Sequence, residues 1–344
     1  MKSRFRVTDK TSQPIPGLAE FAESLSEYCK RGERILICAH QRPDGDSIGS
    51  QLALSRLLSK EGACCRIVNC NPVPKAFRIV PWWPDIEVSE DCPYQWGMLF
   101  CADTSSLDWL GFGNVPELGD RVQFNLDHHQ TNIGYGRFNM MDSTCSSTCE
   151  LVYHLYHALG CEIDPETARC LFLGMMTDTG NFSFRKAGPV TFRAAADLME
   201  RGVDHWQMNK SIYMGRPLDW LRLMGRILSR VEAVAGGTIL IARITPEVLE
   251  EMGTGREHAH GIINQMTEIK GVEVAITFNS CGEGIHVELR ATGDADVSRV
   301  AKTLGGGGHK SAAGCTVNDS PEHVETVVLD MVRKLLRGRE LDQE

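Results

Sequence analysis

Residues 34–48 run Arg34-Ile35-Leu36-Ile37-Cys38-Ala39-His40-Gln41-Arg42-Pro43-Asp44-Gly45-Asp46-Ser47-Ile48. The first six form a short apolar run between polar neighbours, the pattern of a buried strand. From Ile48 to Leu58 apolar residues recur at helical spacing, and Gly62 supplies a C-cap. A strand feeding a helix through a polar turn is the first half of a β-α-β unit. Ligands of open parallel sheets bind at the carboxyl ends of the strands. His40, Asp44 and Asp46 stand at that junction, and Pro43 with Gly45 shapes the turn that turns them together.

The same alternation continues outward. Cys65 to Cys70, Met98 to Ala102 and Val122 to Leu126 are further strands, and Glu150 to Leu159 and Pro165 to Met176 are helices, the second with proline in its first turn. Strands alternating with helices predict an α/β fold with a parallel sheet and helices on both faces. Nearly everything from Pro189 to Arg230 reads as helical, broken at Gly202 and near Gly215 to Pro217. Strands follow at Thr238 to Ile244, Val272 to Asn279 and Ile285 to Ala291. A helix from Val297 to Leu304, a glycine run, a short strand near Cys315 and a helix from Pro321 to Leu336 complete the pattern. The expected organisation is a catalytic domain over 15–190, a helical linker over 191–232, and a smaller α/β substrate domain over 233–340.

A chain of 344 residues is too long for one typical core and suits two. Its net charge of −9 argues against wrapping long duplex nucleic acid, which needs an extended basic surface. A small anion held by local cations is not excluded. The segment Met1 to Pro14 lacks the apolar core of a signal peptide. No stretch approaches the ~20 apolar residues of a membrane span. The thirteen cysteines are scattered, with no CxxC pair, so reduced thiols and a cytoplasmic location are expected.

Four places carry chemistry. Beside the first turn, Asp103 follows the apolar run Met98 to Ala102. Val122 to Leu126 runs into Asp127-His128-His129. Asp178 follows the helix that begins at Pro165. Singly, each has a plain structural use: Asp44 as a turn residue, Asp103 and Asp178 as caps. The adjacent imidazoles after Asp127 have less structural use. Neighbouring residues of an extended chain point to opposite sides, so one histidine suffices as a ligand and the other can face a substrate. Together the four supply several aspartates and at least two histidines. That mixture suits Mn²⁺ better than Mg²⁺, with Fe²⁺ or Co²⁺ as substitutes. It is enough for two ions if one aspartate bridges them. His154 and His157, at near-helical spacing, fit a partly buried amphipathic helix, and Trp82-Trp83 fits loop packing.

His40-x-x-x-Asp44-x-Asp46, Asp103, Asp127-His128-His129 and Asp178 resemble, in order, the motifs of the DHH phosphoesterase superfamily. Gly305-Gly306-Gly307-Gly308-His309-Lys310-Ser311-Ala312-Ala313-Gly314 resembles the signature of the DHH-associated substrate domain. Over most of the chain the similarity is to the nanoRNase and pAp phosphatase group. The resemblance implies that His40, Asp44 and Asp103 hold one ion, and that Asp46, Asp103, His128 and Asp178 hold the other, with Asp103 bridging. It implies a hydroxide attacking phosphorus, Asp127 orienting a neighbour, and His129 at the scissile phosphate or leaving oxygen. Consecutive glycines let backbone N–H groups approach a phosphate, so Gly306, Gly307, Gly308 and His309 are expected to bind substrate. Arg290, ending a strand, is the natural partner of a terminal phosphate. The family often has serine after this arginine, where Ala291 and Thr292 stand here.

The expected activity is hydrolysis of short oligoribonucleotides and of 3′-phosphoadenosine 5′-phosphate (pAp), in a cleft between two domains, by a protein that binds no membrane and is compatible with a homodimer. Alternatives are a phosphodiesterase for cyclic or linear dinucleotides such as cyclic di-AMP, pApA or pGpG, a RecJ-like single-strand DNA exonuclease, a manganese pyrophosphatase, and a non-enzymatic nucleotide-binding regulator. Against the pyrophosphatase stands the glycine and histidine signature of the second domain, and against the exonuclease stand chain length and acidity.

Overall fold

A computed structural model describes residues 15–253, 255, 259, 261–281 and 284–338. The chain divides into two compact units, Met1–Met214 and Gly215–Glu344. The helices read between 191 and 232 are shared between them.

In the first unit, α1 (Leu18–Lys30) precedes β1 (Arg34–Cys38) and α2 (Gly45–Lys60). Asp44 caps α2: its carboxylate accepts from the amides of Asp46 and Ser47, and the Ser47 hydroxyl accepts from the Asp44 amide. β2 (Cys64–Asn69), β3 (Ile86–Val88), β4 (Met98–Ala102), β5 (Val122–Asp127) and β6 (Phe138–Met141) follow, then α3 (Thr148–Ala158), α4 (Pro165–Asp178), α5 (Pro189–Glu200) and α6 (His205–Tyr213). The six strands form one parallel sheet in the order β3-β2-β1-β4-β5-β6. The order therefore reverses between β1 and β4, the switch point at which a doubly wound sheet opens a crevice.

The α-helices cover one face of this sheet, not both as expected, because the connections on the other side form only 3-10 turns. On one side Ile35, Ile37, Phe100, Phe124 and Leu126 pack against apolar residues of α1 to α5. On the other, Leu36, Cys38, Leu99 and Cys101 meet Leu110, Phe112 and Leu118, carried by short 3-10 turns and the chain between them. The close approach of α2, α3 and α4 depends on small residues. A Cβ on Gly174 would lie 2.2 Å from Cys149 Sγ and 2.5 Å from an Asp46 carboxylate oxygen.

The second unit opens with α7 (Leu218–Leu228), β7 (Glu232–Val234), β8 (Ile239–Ile244), α8 (Pro246–Glu251) and α9 (Ile262–Thr267). It continues through β9 (Val274–Cys281), β10 (Gly284–Ala291), α10 (Val297–Thr303), β11 (Gly307–His309), β12 (Ala312–Val317) and α11 (Pro321–Leu336). Its sheet has the order β11-β12-β10-β9-β8-β7, antiparallel except for the β8–β9 pair. Val287, Leu289, Ala313 and Cys315 join the core beneath α10 and α11. Leu240, Ala242 and Ala275 face α7 to α9.

No helix among the described residues is long and apolar enough to cross a membrane. The described cysteines are free thiols, and of these only Cys64 is exposed.

Candidate metal centre

The acids and imidazoles singled out above meet at the carboxyl ends of β1, β4 and β5, against the N-terminus of α3 and the last residue of α4. Donor atoms of His40, Asp44 and Asp103 lie within 4.8 Å of one another, as do those of Asp46, Asp103 and His128. Asp103 is common to both groups. One of its oxygens is 3.5 Å from His40 Nε2, and the other is 3.9 Å from His128 Nε2. Asp178 completes the second group, its carboxylate 3.3 Å from His128 Nε2.

Each side chain is fixed by a local cause. His40 Nδ1 lies 2.8 Å from the Gln41 carbonyl. A carbonyl only accepts, so Nδ1 carries a hydrogen and Nε2 is the atom turned to Asp44, at 3.7 Å, and to Asp103. His128 repeats the device: Nδ1 is 3.2 Å from the Cys145 carbonyl, and Nε2 faces Asp46, Asp103 and Asp178. A hydrogen bond on one ring nitrogen sets which nitrogen can ligate. Asp103 ends β4 with a left-handed backbone, φ 54°, and its amide donates to the Leu126 carbonyl at 3.0 Å. Such conformations are held only where the surroundings over-determine them.

Asp46, on the first turn of α2, is only 1% exposed. Its carboxylate accepts from the amides of Thr148 at 2.7 Å and Cys149 at 2.8 Å, partners 102 and 103 residues away. The orphan donors and positive dipole end of α3 favour an anion there. The Thr148 hydroxyl also donates to Asp103 at 2.9 Å. One helix start thus orients two of the carboxylates.

The electrostatics describe a nest of negative charge that wants a cation. Burial, together with Asp103, Asp178 and Asp44, pushes the Asp46 carboxyl well above its ordinary range. Burial opposes a charge on His40, but Asp103 and Asp44 beside it raise its pKa well above the usual value. His128 is lowered, by burial first and then by Lys186 and His129 despite the nearby carboxylates, which keeps it neutral and able to ligate. Like charges in a dry site are costly without a counter-ion. Four carboxylates with two imidazoles turned inward are the donor chemistry of a transition-metal dication. The residues fit a pair of such ions.

Asp127 and His129 form a second layer. His129 Nδ1 is 2.6 Å from the fully buried Asp127 carboxylate, which also accepts from Asn132 Nδ2 at 2.7 Å. Burial works against the imidazolium, yet Asp127 and Asp103 raise His129 to about 9. His129 therefore carries a proton at neutral pH, 3.7 Å from Asp103.

Several contributors were not singled out from the sequence. Thr148 and Cys149 follow a readable cap, since the Ser147 hydroxyl accepts from the Glu150 amide, but their service to Asp46 has no local signature. Asn132 also went unmarked, as did Lys186, whose ammonium pairs with Asp178. His154 lies on α3, 4.0 Å from Glu150, and the His157 ring packs on Tyr153. Trp82 and Trp83 lie under the guanidinium groups of Arg56 and Arg78.

In the second unit the glycine run is an edge hairpin. Gly307 to His309 pair with β12, and the amides of Gly305 and Gly306 donate to Lys302 and Ala301 at the end of α10. Gly306 is there for space: a Cβ would lie 2.2 Å from the Gly314 carbonyl. Arg290 and His309 both pair with Ala312, one from each side. Paired residues share a face of a sheet, so both project opposite the core beneath α10 and α11, alongside His286, Glu288 and Thr316.

Residues 34–175 match the DHH family, N-terminal domain, and residues 236–338 match the DHHA1 domain. The chain is 31% identical over 326 residues to a Thermus thermophilus protein named bifunctional oligoribonuclease and PAP phosphatase NrnA, covering 94% of this chain and 97% of that one. It is 24% identical to the Bacillus subtilis protein of the same name, over 87% and 92% of the two chains. Among solved structures, an exopolyphosphatase-related protein from Bacteroides fragilis superposes with a TM-score of 0.82 at 25% identity, over 92% of this chain and 98% of that one. The chain therefore belongs to the DHH family, with the family's N-terminal domain followed by a DHHA1 domain.

Proposed function

We propose that this protein is a cytoplasmic phosphoesterase that hydrolyses short oligoribonucleotides and pAp with the help of two divalent cations, Mn²⁺ by preference. The observation that carries the reading is the pair of donor groups joined through Asp103. Two ligand sets sharing one carboxylate are the arrangement of a two-ion phosphoryl-transfer centre. The names of the relatives that match along nearly the whole chain support the substrate class.

His40, Asp44 and Asp103 would hold one ion, and Asp46, Asp103, His128 and Asp178 the other. Bound there, divalent cations lower the pKa of water and neutralise charge on phosphoryl oxygens. The chain supplies the rest. α3 and Thr148 keep two carboxylates in place before any ion arrives. Asp127 holds the proton on His129 and turns that ring, so a donor is ready for the departing ester oxygen. Arg290 and the hairpin around His309 supply the expected grip on the terminal phosphate, a task suited to a guanidinium.

The test is a product analysis with Mn²⁺ on a ladder of 5′-labelled oligoribonucleotides, run beside pAp, pApA, pGpG and cyclic di-AMP. Turnover of pAp and of chains of about two to five units, falling away with length, is the expected result. Comparable rates on a dinucleotide and a ~50-mer would overturn it, since long strands need extended stacking and basic tracks.

A further inference from the structure

Eight residues beyond Asp178 the chain comes back to it. The Lys186 ammonium rests on the Asp178 carboxylate. The oxygen it meets is the one that lies 3.3 Å from His128 Nε2. The lysine side chain stays 26% exposed, which places it at the edge of the centre.

The return is made by unusual backbone. Gly180, Asn181 and Phe182 follow one another at φ 57°, 58° and 62°. Glycine and asparagine tolerate that region; phenylalanine does not do so readily. Three supports hold the turn. The buried Thr179 hydroxyl donates to the Met175 carbonyl at 2.5 Å and accepts from the Phe182 amide at 2.9 Å. The Asn181 amide donates to the Met176 carbonyl at 2.7 Å, and its side chain donates to Asn209 at 3.1 Å. The Phe182 ring packs edge-on against Phe172, centroids 5.5 Å apart. Strained backbone that is so thoroughly supported concentrates at functional sites.

What the turn delivers is a positive charge at the rim of the carboxylate nest. A dication taken up by Asp178 and His128 satisfies that carboxylate and repels an ammonium a few ångströms away. The group that can lie against a dication and an ammonium together is an oxyanion. Lysine suits the task, because a compact charge on a flexible stem can swing from carboxylate to phosphate. We infer that Lys186 is a substrate-binding residue, presented by the left-handed turn at 180–182, that contacts a phosphoryl oxygen at the metal centre.

The inference rests on the phosphoesterase reading, and its test separates the two. Wild type, Lys186→Met and Lys186→Arg are titrated with Mn²⁺ alone, then with inorganic phosphate after Mn²⁺ loading, and assayed with pAp. Mn²⁺ stoichiometry stays that of wild type in both variants. Phosphate affinity of the Met variant falls about 10- to 100-fold, the loss of one charge-assisted hydrogen bond. KM for pAp rises in step while kcat changes less, and arginine restores most of both. Lys186→Gln gives the same comparison if the Met variant melts early. Unchanged phosphate affinity overturns the inference. So does a fall in Mn²⁺ stoichiometry, which would make Lys186 only a prop for Asp178. If wild type turns over no nucleotide while phosphate titration still distinguishes Lys186→Met, the nucleotide reading fails and the phosphate contact stands.

Discussion

The Thr148 hydroxyl donates to the Asp103 carboxylate at 2.9 Å, joining the start of α3 to the one carboxylate shared by both donor groups. Thr148→Val removes that bond and keeps the shape, while Ser147 still caps the helix. Mn²⁺ affinity is expected to fall about 10- to 100-fold, as for other groups that orient a ligand from behind. Calorimetric titration of the variant against wild type measures it, and an unchanged affinity would show that Asp103 is held by β4 alone.

Asp103→Asn should separate charge from conformation. Asparagine accepts the left-handed backbone at this position, but it brings no negative charge to bridge two ions. Turnover with Mn²⁺ is expected to fall to background. In excess chelator the variant should melt at or above the wild-type temperature, since Asp46 loses a crowding carboxylate. Asp103→Ala costs about 1 kcal/mol more than asparagine because it meets the left-handed strain without a local polar contact.

His129 sets a pH dependence. It faces Asp127 and Asp103, which raise it, and His40, which lowers it, with burial opposing the charge throughout. A histidine raised to about 9 stabilises the fold most fully below its unfolded value near ~6.5. That contribution is lost as pH climbs from there through about 9. Urea unfolding in chelator should therefore give a wild-type advantage over His129→Gln that is largest below pH ~6.5 and gone by pH ~10. A flat difference across that window would mean that Asp127 does not hold the proton on this ring.

Arg290→Ala is expected to raise KM for pAp about 10- to 100-fold with little change in kcat, because a terminal phosphate is held equally in ground and transition states. Steady-state kinetics decide it. If kcat falls and KM stays, the guanidinium acts on the reacting phosphate instead.

Much of this was legible in the sequence because buried parallel strands are nearly continuous apolar runs. β4 and α11 match the expected boundaries, β1 and β5 differ by one residue at one end, and β2 is shifted by one residue at both. Once the strand ends were visible, so were His40, Asp103 and the Asp127 to His129 triplet. α1 was not read: it starts after Gly17 without any side-chain cap, so no start signal marks its apolar stripe. β11 has no strand signal in the glycine run because glycine has little strand preference; it is a strand only because β12 offers an edge to pair with. Asp178 was placed just beyond a helix and is instead the last residue of α4. Its carboxylate still reaches His128, because helix ends fray by a residue without moving the chain. Thr148 and Lys186 matter through partners distant in sequence or behind a left-handed turn, and neither relation leaves a periodic trace.

The donor to Asp46 lies 102 residues further along the polymer. A chain leaving the ribosome displays His40 and Asp44 well before Thr148 or Asp178 has been synthesised, and two or three lone side chains bind a hard cation poorly. A divalent cation would thus meet its full set of donors only once the sheet has closed and α4 has docked. The ion would then be a late arrival at a nest whose carboxylates Thr148 and Cys149 already hold in place.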